Sequence, residues 1–309
     1  MKVDLSGRSF LSLADFTADE INAILELAEE LKRERAAGVR RDIHAGKTLA
    51  LLFQKPSLRT RVSFDVAMHE LGGDALYLGP DEVGVGKRES IADVATVLSR
   101  YVHGIAARVF GHDIVEGLAE YGDVPVINGL SDLLHPCQVL ADLMTVRERL
   151  GRLDGRTLVY VGDGNNVANS LMLGGAITGL NVTVVTPPGF EADAGIASRA
   201  QELADRSGAV IAVTNDLAAA NGADVLYADV WASMGEEDVA AQKKQAFAGF
   251  TVDADMVAAA APDAIVLHCL PAHYGEEITE DVARGPQSAI WDEAENRLHA
   301  QKALLALVL

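Results

Sequence analysis

The stretch Thr48-Leu49-Ala50-Leu51-Leu52-Phe53-Gln54-Lys55-Pro56-Ser57-Leu58-Arg59-Thr60-Arg61 contains an apolar run, a break and the opening of an amphipathic pattern that continues from Val62 to Leu71. It reads as a strand, a turn and a helix start. Pro56 stiffens the approach and Ser57 is a good N-cap, so the backbone N–H groups of Leu58, Arg59 and Thr60 are expected to lack helical partners and to point outward. Such donors favour an anion. With the positive end of the helix dipole, the hydroxyls of Ser57 and Thr60 and the Arg59 guanidinium added, the turn suits a phosphate or phosphate ester. The same string also suits a capped helix with surface arginines. Arg61 is expected to play a structural part, paired with a carboxylate of the protein.

The alternation repeats outward from this unit. Thr17 to Ala37 has the spacing of an amphipathic helix, with Ile21, Ile24, Leu25, Leu27, Ala28 and Leu31 on one side. Short apolar runs recur at Ala75–Leu78, Gly104–Ala107 and Val124–Ile127, then at Thr157–Val161, Val182–Val185, Val210–Val213, Val225–Ala228 and Ile265–Leu267, each followed by a helical pattern. This predicts an α/β protein of two open parallel-sheet lobes with helices on both faces, joined by interdomain helices. The lobes are placed at residues 1–138 and 139–291, with a helix over 292–309 packing back on the first. Gly79–Glu89 is read as a loop able to move or to reach a neighbouring subunit.

Composition limits the partners. At 309 residues and 49% hydrophobic content the chain can bury two ordinary cores. A net charge of −19 opposes binding to nucleic acid or an anionic membrane, so an anionic ligand must be captured by local arginines working against the overall field. Cys137 and Cys269 are too few for a disulfide scaffold and fit a reducing compartment. With no leader-like start and no apolar run long enough to span a bilayer, a cytoplasmic, soluble protein is expected.

Further clusters fall at the expected carboxyl ends of strands, where open α/β sheets bind ligands. Arg108 could reach the same anion as Arg59, or be a solvated strand-end charge. His135-Pro136-Cys137-Gln138 stands where Pro begins a helix. There His135 could donate to a carbonyl oxygen gaining negative charge and Gln138 could hold an amide-like NH2, or His135 could simply bond its own helix start. Gly162-Asp163-Gly164-Asn165-Asn166 lacks a glycine at Val167 and an acidic residue at Thr186, which argues against a dinucleotide site. The turn could offer the Asn166 amide to a polar substrate, or cap the next helix. Asp229-Val230-Trp231-Ala232-Ser233-Met234-Gly235 and His268-Cys269-Leu270-Pro271 close the set. Asp229 and Ser233 could hold an ammonium group. Cys269 has no activating triad in its neighbourhood, and His268 with Cys269 lacks the spaced partners of a zinc site, so no metal is expected.

In this order the clusters resemble those of the carbamoyltransferases, and the likeness runs through nearly the whole chain. The family's Ser-x-Arg-Thr-Arg is found at Ser57–Arg61 and its His-Pro-x-Gln at His135–Gln138; both are shared across the family and point to carbamoyl phosphate. Asp-x-x-x-Ser-Met-Gly at Asp229–Gly235 and His-Cys-Leu-Pro at His268–Pro271 are similar to the ornithine branch, as is Asn166. Glu293-Ala294-Glu295-Asn296-Arg297 also matches and adds Arg297. The resemblance implies that residues 1–138 bind carbamoyl phosphate through Ser57, Leu58, Arg59, Thr60, Arg108, His135, Gln138 and Arg297, with Cys269 and Leu270 beside the reacting group. It implies that residues 139–291 bind ornithine through Asn166, Asp229, Ser233 and Met234. Arg59, Arg108, His135 and Cys269 are then the expected catalytic residues, no cofactor is needed, and a homotrimer or a multiple of trimers is expected. Many members have a glutamine where this chain has Gly84. Aspartate, putrescine or acetylornithine remain alternative acceptors, and an NAD-dependent oxidoreductase a more distant alternative.

Overall fold

The structure, a computed structural model, describes residues 3–232 and 237–309. Two compact units make up the chain, Met1–Met144 with Glu295–Leu309, and Thr145–Ala294. In the first, α1 (Ala18–Ala36) is followed by β1 (Thr48–Phe53), α2 (Leu58–Glu70), β2 (Asp74–Leu78), α3 (Pro80–Val83), α4 (Ile91–Leu98), β3 (Gly104–Arg108), α5 (His112–Tyr121) and β4 (Val126–Leu130), and α6 (Pro136–Leu150) begins there. The strands form one parallel sheet ordered β2-β1-β3-β4.

The second unit holds β5 (Thr157–Val161), α7 (Asn166–Thr178), β6 (Asn181–Val185), α8 (Ala194–Ser207), β7 (Ile211–Thr214), β8 (Val225–Ala228), α9 (Ala240–Ala246), α10 (Ala254–Ala259), β9 (Ile265–His268) and α11 (Glu280–Ala283), and α12 (Ile290–Val308) begins in it. Its sheet is also parallel, ordered β7-β6-β5-β8-β9. The α/β class expected from the alternating pattern is therefore observed in both units.

Topology decides where each unit can bind. Strand order reverses between β1 and β3 in one sheet and between β5 and β8 in the other, and the crevice beyond the carboxyl ends at such a reversal is the ligand site of open sheets. Ser57–Thr60 follows β1, and Arg108 ends β3 directly beside Phe53. A register shift between Ala107 and Arg108 against β4 re-aims the arginine at that end.

Local chemistry accounts for the elements. Thr17 and Glu20 form a capping box on α1, and Ile21, Ile24, Leu25, Ala28 and Leu31 are its buried stripe. Leu49 to Phe53 are all buried, each leucine and the phenylalanine worth about 1.5–3 kcal/mol on transfer from water. The last turns of α12 belong to the first unit, tied by Lys302 to Glu70 at 2.7 Å, by Ser63 Oγ to Gln301 at 2.8 Å and by the Leu305 carbonyl to His44 at 2.9 Å.

Most element boundaries fall within a residue or two of the sequence reading, and three differences have a physical cause. β4 starts at Val126 and not Val124, because Pro125 has no N–H for a ladder; β7 is shifted one residue to Ile211–Thr214. The Gly79–Glu89 segment is not all loop: α3 forms one turn, capped by the Glu82 carboxylate on the Gly79 N–H, and a bridge joins Val85 to Glu89. Gly84 closes that turn in the left-handed region at φ +63°, where any residue with a Cβ is strained. Among the described residues no helix is long and apolar enough to cross a membrane.

Candidate active site

Two polar clusters stand at the strand ends, one in each unit. In the first, Ser57 caps α2 as its sequence predicts, its hydroxyl accepting from the Thr60 N–H at 3.3 Å. This corrects the expectation for Thr60, whose N–H is consumed by the cap, so the outward backbone donors of this turn come from Leu58 and Arg59. Leu58 itself is 77% exposed, which suits a residue expected to contribute through its backbone.

The Thr60 hydroxyl is buried and accepts from Arg297 Nη2 at 3.2 Å. Arg297 Nη1 donates to Gln138 Oε1 at 2.7 Å, and Gln138 Nε2 donates to Asp142 Oδ1 at 2.8 Å, one turn further along α6. That chain fixes which way the Gln138 amide faces. Arg297 Nε reaches Gln301 on its own helix at 3.3 Å. Tertiary contact thus joins α2, α6 and α12 around one guanidinium.

His135 is buried with Arg297, Arg108 and Arg59 close enough to act on its charge. Burial first, then the three guanidinium groups in that order, hold its imidazole well below the usual histidine range. A neutral ring results, a hydrogen-bond donor that adds no further positive charge. Cys137 in the same motif is a core residue: burial pushes its thiol up to about 12, and Sγ donates to the Asn128 carbonyl at 3.3 Å. Arg61 lies over the Tyr77 ring at 3.9 Å, so its structural partner is an aromatic face in place of the expected carboxylate.

The second cluster is acidic. Asp229 is buried and accepts three hydrogen bonds, from Val230 N–H at 2.8 Å and Cys269 Sγ at 2.9 Å on Oδ1, and from Asn165 Nδ2 at 2.7 Å on Oδ2. Asn165 also caps α7, its Oδ1 accepting from Val167 and Ala168 N–H at 2.9 and 3.2 Å. One amide therefore fixes both the helix start and the carboxylate. Asn166 is the first residue of α7 and half-buried. Asp163 pairs with the buried Lys243 of α9 at 2.7 Å. The Tyr160 hydroxyl is raised well above the usual phenol range, by burial and then by Asp229, Asp163 and Cys269.

Cys269 and Leu270 are held by the histidine before them. The Leu270 N–H donates to His268 Nδ1 at 2.8 Å, which leaves the ring proton on Nε2, facing Glu277 Oε1 at 3.0 Å. Leu270 has φ +59°, a conformation costing about 1 kcal/mol or more for a residue with a Cβ. Asp229, His268 and Cys269 do converge within 4.8 Å, which sequence spacing could not reveal. Yet both His268 nitrogens and the thiol are already hydrogen-bonded. Ser233 and Met234 lie outside the described residues.

Several members of these clusters escaped the sequence reading as site residues. Asp142 sits one helical turn after Gln138, a spacing that would have pointed to it. Asn165 was expected only as a cap, although a capping amide keeps its NH2 for a second partner. Lys243 has no local signal, because its partner Asp163 lies 80 residues away, beyond the end of β5; Glu277 lies only nine residues after its partner His268, in a turn that carries no regular spacing.

An arginine cradle with a neutral histidine at one sheet's switch point, and a hydrogen-bonded carboxylate with a thiol at the other's, are the apparatus of a two-substrate group-transfer enzyme with an anionic donor. Residues 8–148 match the family described as aspartate/ornithine carbamoyltransferase, carbamoyl-P binding domain, and residues 154–308 match its Asp/Orn binding domain. The chain belongs to the aspartate/ornithine carbamoyltransferase family. It is 55% identical over 305 residues to the ornithine carbamoyltransferase of Acidothermus cellulolyticus, covering 98% of this chain and 96% of that one. It is 54% identical over 310 residues to that of Pyrococcus abyssi, covering 100% and 98%. The solved ornithine carbamoyltransferase of Pyrococcus furiosus superimposes with a TM-score of 0.97 at 53% identity, over 99% of this chain and 98% of that one.

Proposed function

We propose that this chain transfers the carbamoyl group of carbamoyl phosphate to the side-chain amine of L-ornithine, giving L-citrulline and phosphate in arginine biosynthesis. The observation that carries the reading is the first cluster, in which Arg59, Arg108 and Arg297 lie close enough to a buried, neutral His135 to act on its charge. In a chain of net charge −19 such a concentration of guanidinium groups fits a dianionic ligand.

Ser57, the Leu58 and Arg59 N–H groups, Arg59, Thr60 and Arg108 hold the phosphate. Gln138 and Arg297 orient the carbamoyl group, with the amide already turned by Asp142 and Arg297. Neutral His135 donates to the carbonyl oxygen, and with Thr60 and the arginines it stabilises the oxyanion that forms as the amine attacks. Oriented donors of this kind are each worth about 10²–10³ in rate.

In the second unit, Asp229 grips the ammonium end of ornithine, with Asn166, Ser233 and Met234 completing its binding, and Cys269 with the Leu270 carbonyl stands beside the reacting amine. That amine must be neutral to attack. From a reference pKa near 10.4 its deprotonation at pH 7 costs roughly 4–5 kcal/mol, which binding in the uncharged form must offset. The departing phosphate is a base able to take the proton, so no covalent carbamoyl-cysteine is required. The Cys269 thiol, already donating to Asp229, is consistent with a positioning and hydrogen-bonding part.

The expected assembly is a homotrimer or a multiple of trimers in the cytoplasm. Self-association is supported by Leu58 and Val62 on one side of α2 and Leu76 on the edge strand β2, which are 77%, 49% and 49% exposed, apolar surface suited to burial by another copy. Light scattering should give a mass at a multiple of three times 32.7 kDa. The function itself is tested by a ureido-product assay with carbamoyl phosphate fixed and the amine varied. Ornithine should exceed aspartate, putrescine and acetylornithine by orders of magnitude in kcat/KM; a different preferred amine would overturn the acceptor.

A further inference from the structure

We propose that Glu293 is a positioning residue for the acceptor half of the reaction, its buried carboxylate fixing the carboxyl ends of β8 and β9 and so the placement of Asp229 against Cys269. Glu293 has no exposed surface. Its Oε1 accepts from the Tyr227 hydroxyl at 3.2 Å and its Oε2 from the His268 N–H at 2.8 Å. Tyr227 lies on β8 two residues before Asp229, and His268 ends β9 immediately before Cys269. One carboxylate therefore spans two adjacent strands at the point where each releases a site residue.

The surroundings leave little freedom for this clamp. Tyr227 is stacked on Tyr160, with ring centroids 5.8 Å apart and planes 29° from parallel, so its hydroxyl is held in direction. Glu293 sits in the first turn of α12, where the positive end of the helix dipole favours a buried carboxylate. The distance that matters is the 2.9 Å hydrogen bond from Cys269 Sγ to Asp229 Oδ1, made between the two strand ends that Glu293 ties. Loss of the tie would leave the buried His268 N–H unsatisfied, which the end of β9 can relieve only by moving.

The inference rests on the reading of the Asp229 cluster as the ornithine site, and its test separates the two. Glu293→Ala, Glu293→Gln and Tyr227→Phe are compared with the parent in KM for each substrate and in the rate at which Cys269 reacts with iodoacetamide, located by peptide mass spectrometry. Donation to a carboxylate favours the thiol over the thiolate, so freeing Cys269 from Asp229 should speed alkylation several-fold. Glu293→Ala should also raise the ornithine KM about tenfold while moving the carbamoyl-phosphate KM less than about twofold. Glu293→Gln, which can still accept from His268 and face the Tyr227 hydroxyl, should restore both. A folded Glu293→Ala with unchanged alkylation overturns the proposal, as does a glutamine variant as defective as the alanine one. Should Glu293→Ala not fold, Tyr227→Phe decides: unchanged alkylation and ornithine KM overturn the proposal, and a faster thiol with a raised ornithine KM supports it. Altered alkylation with an unaltered ornithine KM would instead retain the clamp and remove the ornithine assignment.

Discussion

The two clusters use the same kind of scaffold for opposite charges. At the β1/β3 switch point, Arg59, Arg108 and Arg297 act on one neutral histidine, whereas at the β5/β8 switch point the carboxylates of Asp229 and Asp163 stand near the strand ends, the latter paired with Lys243. The difference teaches that the fold supplies only a location, the carboxyl ends of parallel strands, and that the residues delivered there choose the ligand. Each sign also determines what happens to its titratable neighbours. Burial, reinforced by positive charge, keeps His135 neutral, while burial, reinforced by negative charge, keeps the Tyr160 phenol protonated.

The contrast breaks most sharply at Arg59. Arg59→Ala should lower kcat/KM for carbamoyl phosphate by about 10³ or more, with thermal unfolding little changed, because the half-buried side chain is absent from the core. Near-normal citrulline formation by that variant would remove the phosphate assignment. The complementary change is Asp229→Ala, expected to raise the ornithine KM by roughly 10–100-fold while carbamoyl phosphate binding, followed by calorimetry, stays as in the parent. If both ligands weakened together, the division of labour between the clusters would fail.

A smaller effect concerns acid stability. His135, His44 and His299 are all held below their ordinary value of 6.5, chiefly by burial. The unfolded chain therefore binds protons at these positions before the folded one does. Stability should be full above about pH 6.5 and fall as pH drops below it, with a slope of up to about 1.4 kcal/mol per pH unit from His135 alone. Urea midpoints between pH 7.5 and 5 for the parent and His135→Asn would measure this; parallel curves would show that His135 does not contribute. The smallest effect is expected from Arg61→Ala. Its stacking on Tyr77 is partly exposed and worth about 0.5–1 kcal/mol of stability, and because the side chain is turned to that ring, kcat/KM should change by less than about fivefold. A loss approaching that of Arg59→Ala would make Arg61 a ligand contact.

Much of this was legible in the chain because it depends on neighbours in sequence. The run Thr48–Phe53, the Ser57 cap and the helix after it follow from apolar periodicity and from the chemistry of unpaired helix N–H groups, and they place Arg59 without reference to the rest of the molecule. The same holds for Asn165 at α7 and for His135 ahead of Pro136. Where local rules faltered, a single backbone property was responsible. Pro125 moved the start of β4, and the Ser57 hydroxyl took the Thr60 N–H that the sequence seemed to leave for a ligand.

Hydrogen-bond partners were a different matter. That Arg297 orients Gln138, that Asn165 and Cys269 both donate to Asp229, and that Glu293 ties Tyr227 to His268 are contacts between residues 25 to 159 positions apart. The sequence by itself determined which chemical groups arrive at the strand ends, because strand, turn and helix signals are local. Only the tertiary structure decided which of those groups meet, because sheet order and helix docking bring distant strand ends together, and a hydrogen bond depends on position to within a few tenths of an ångström.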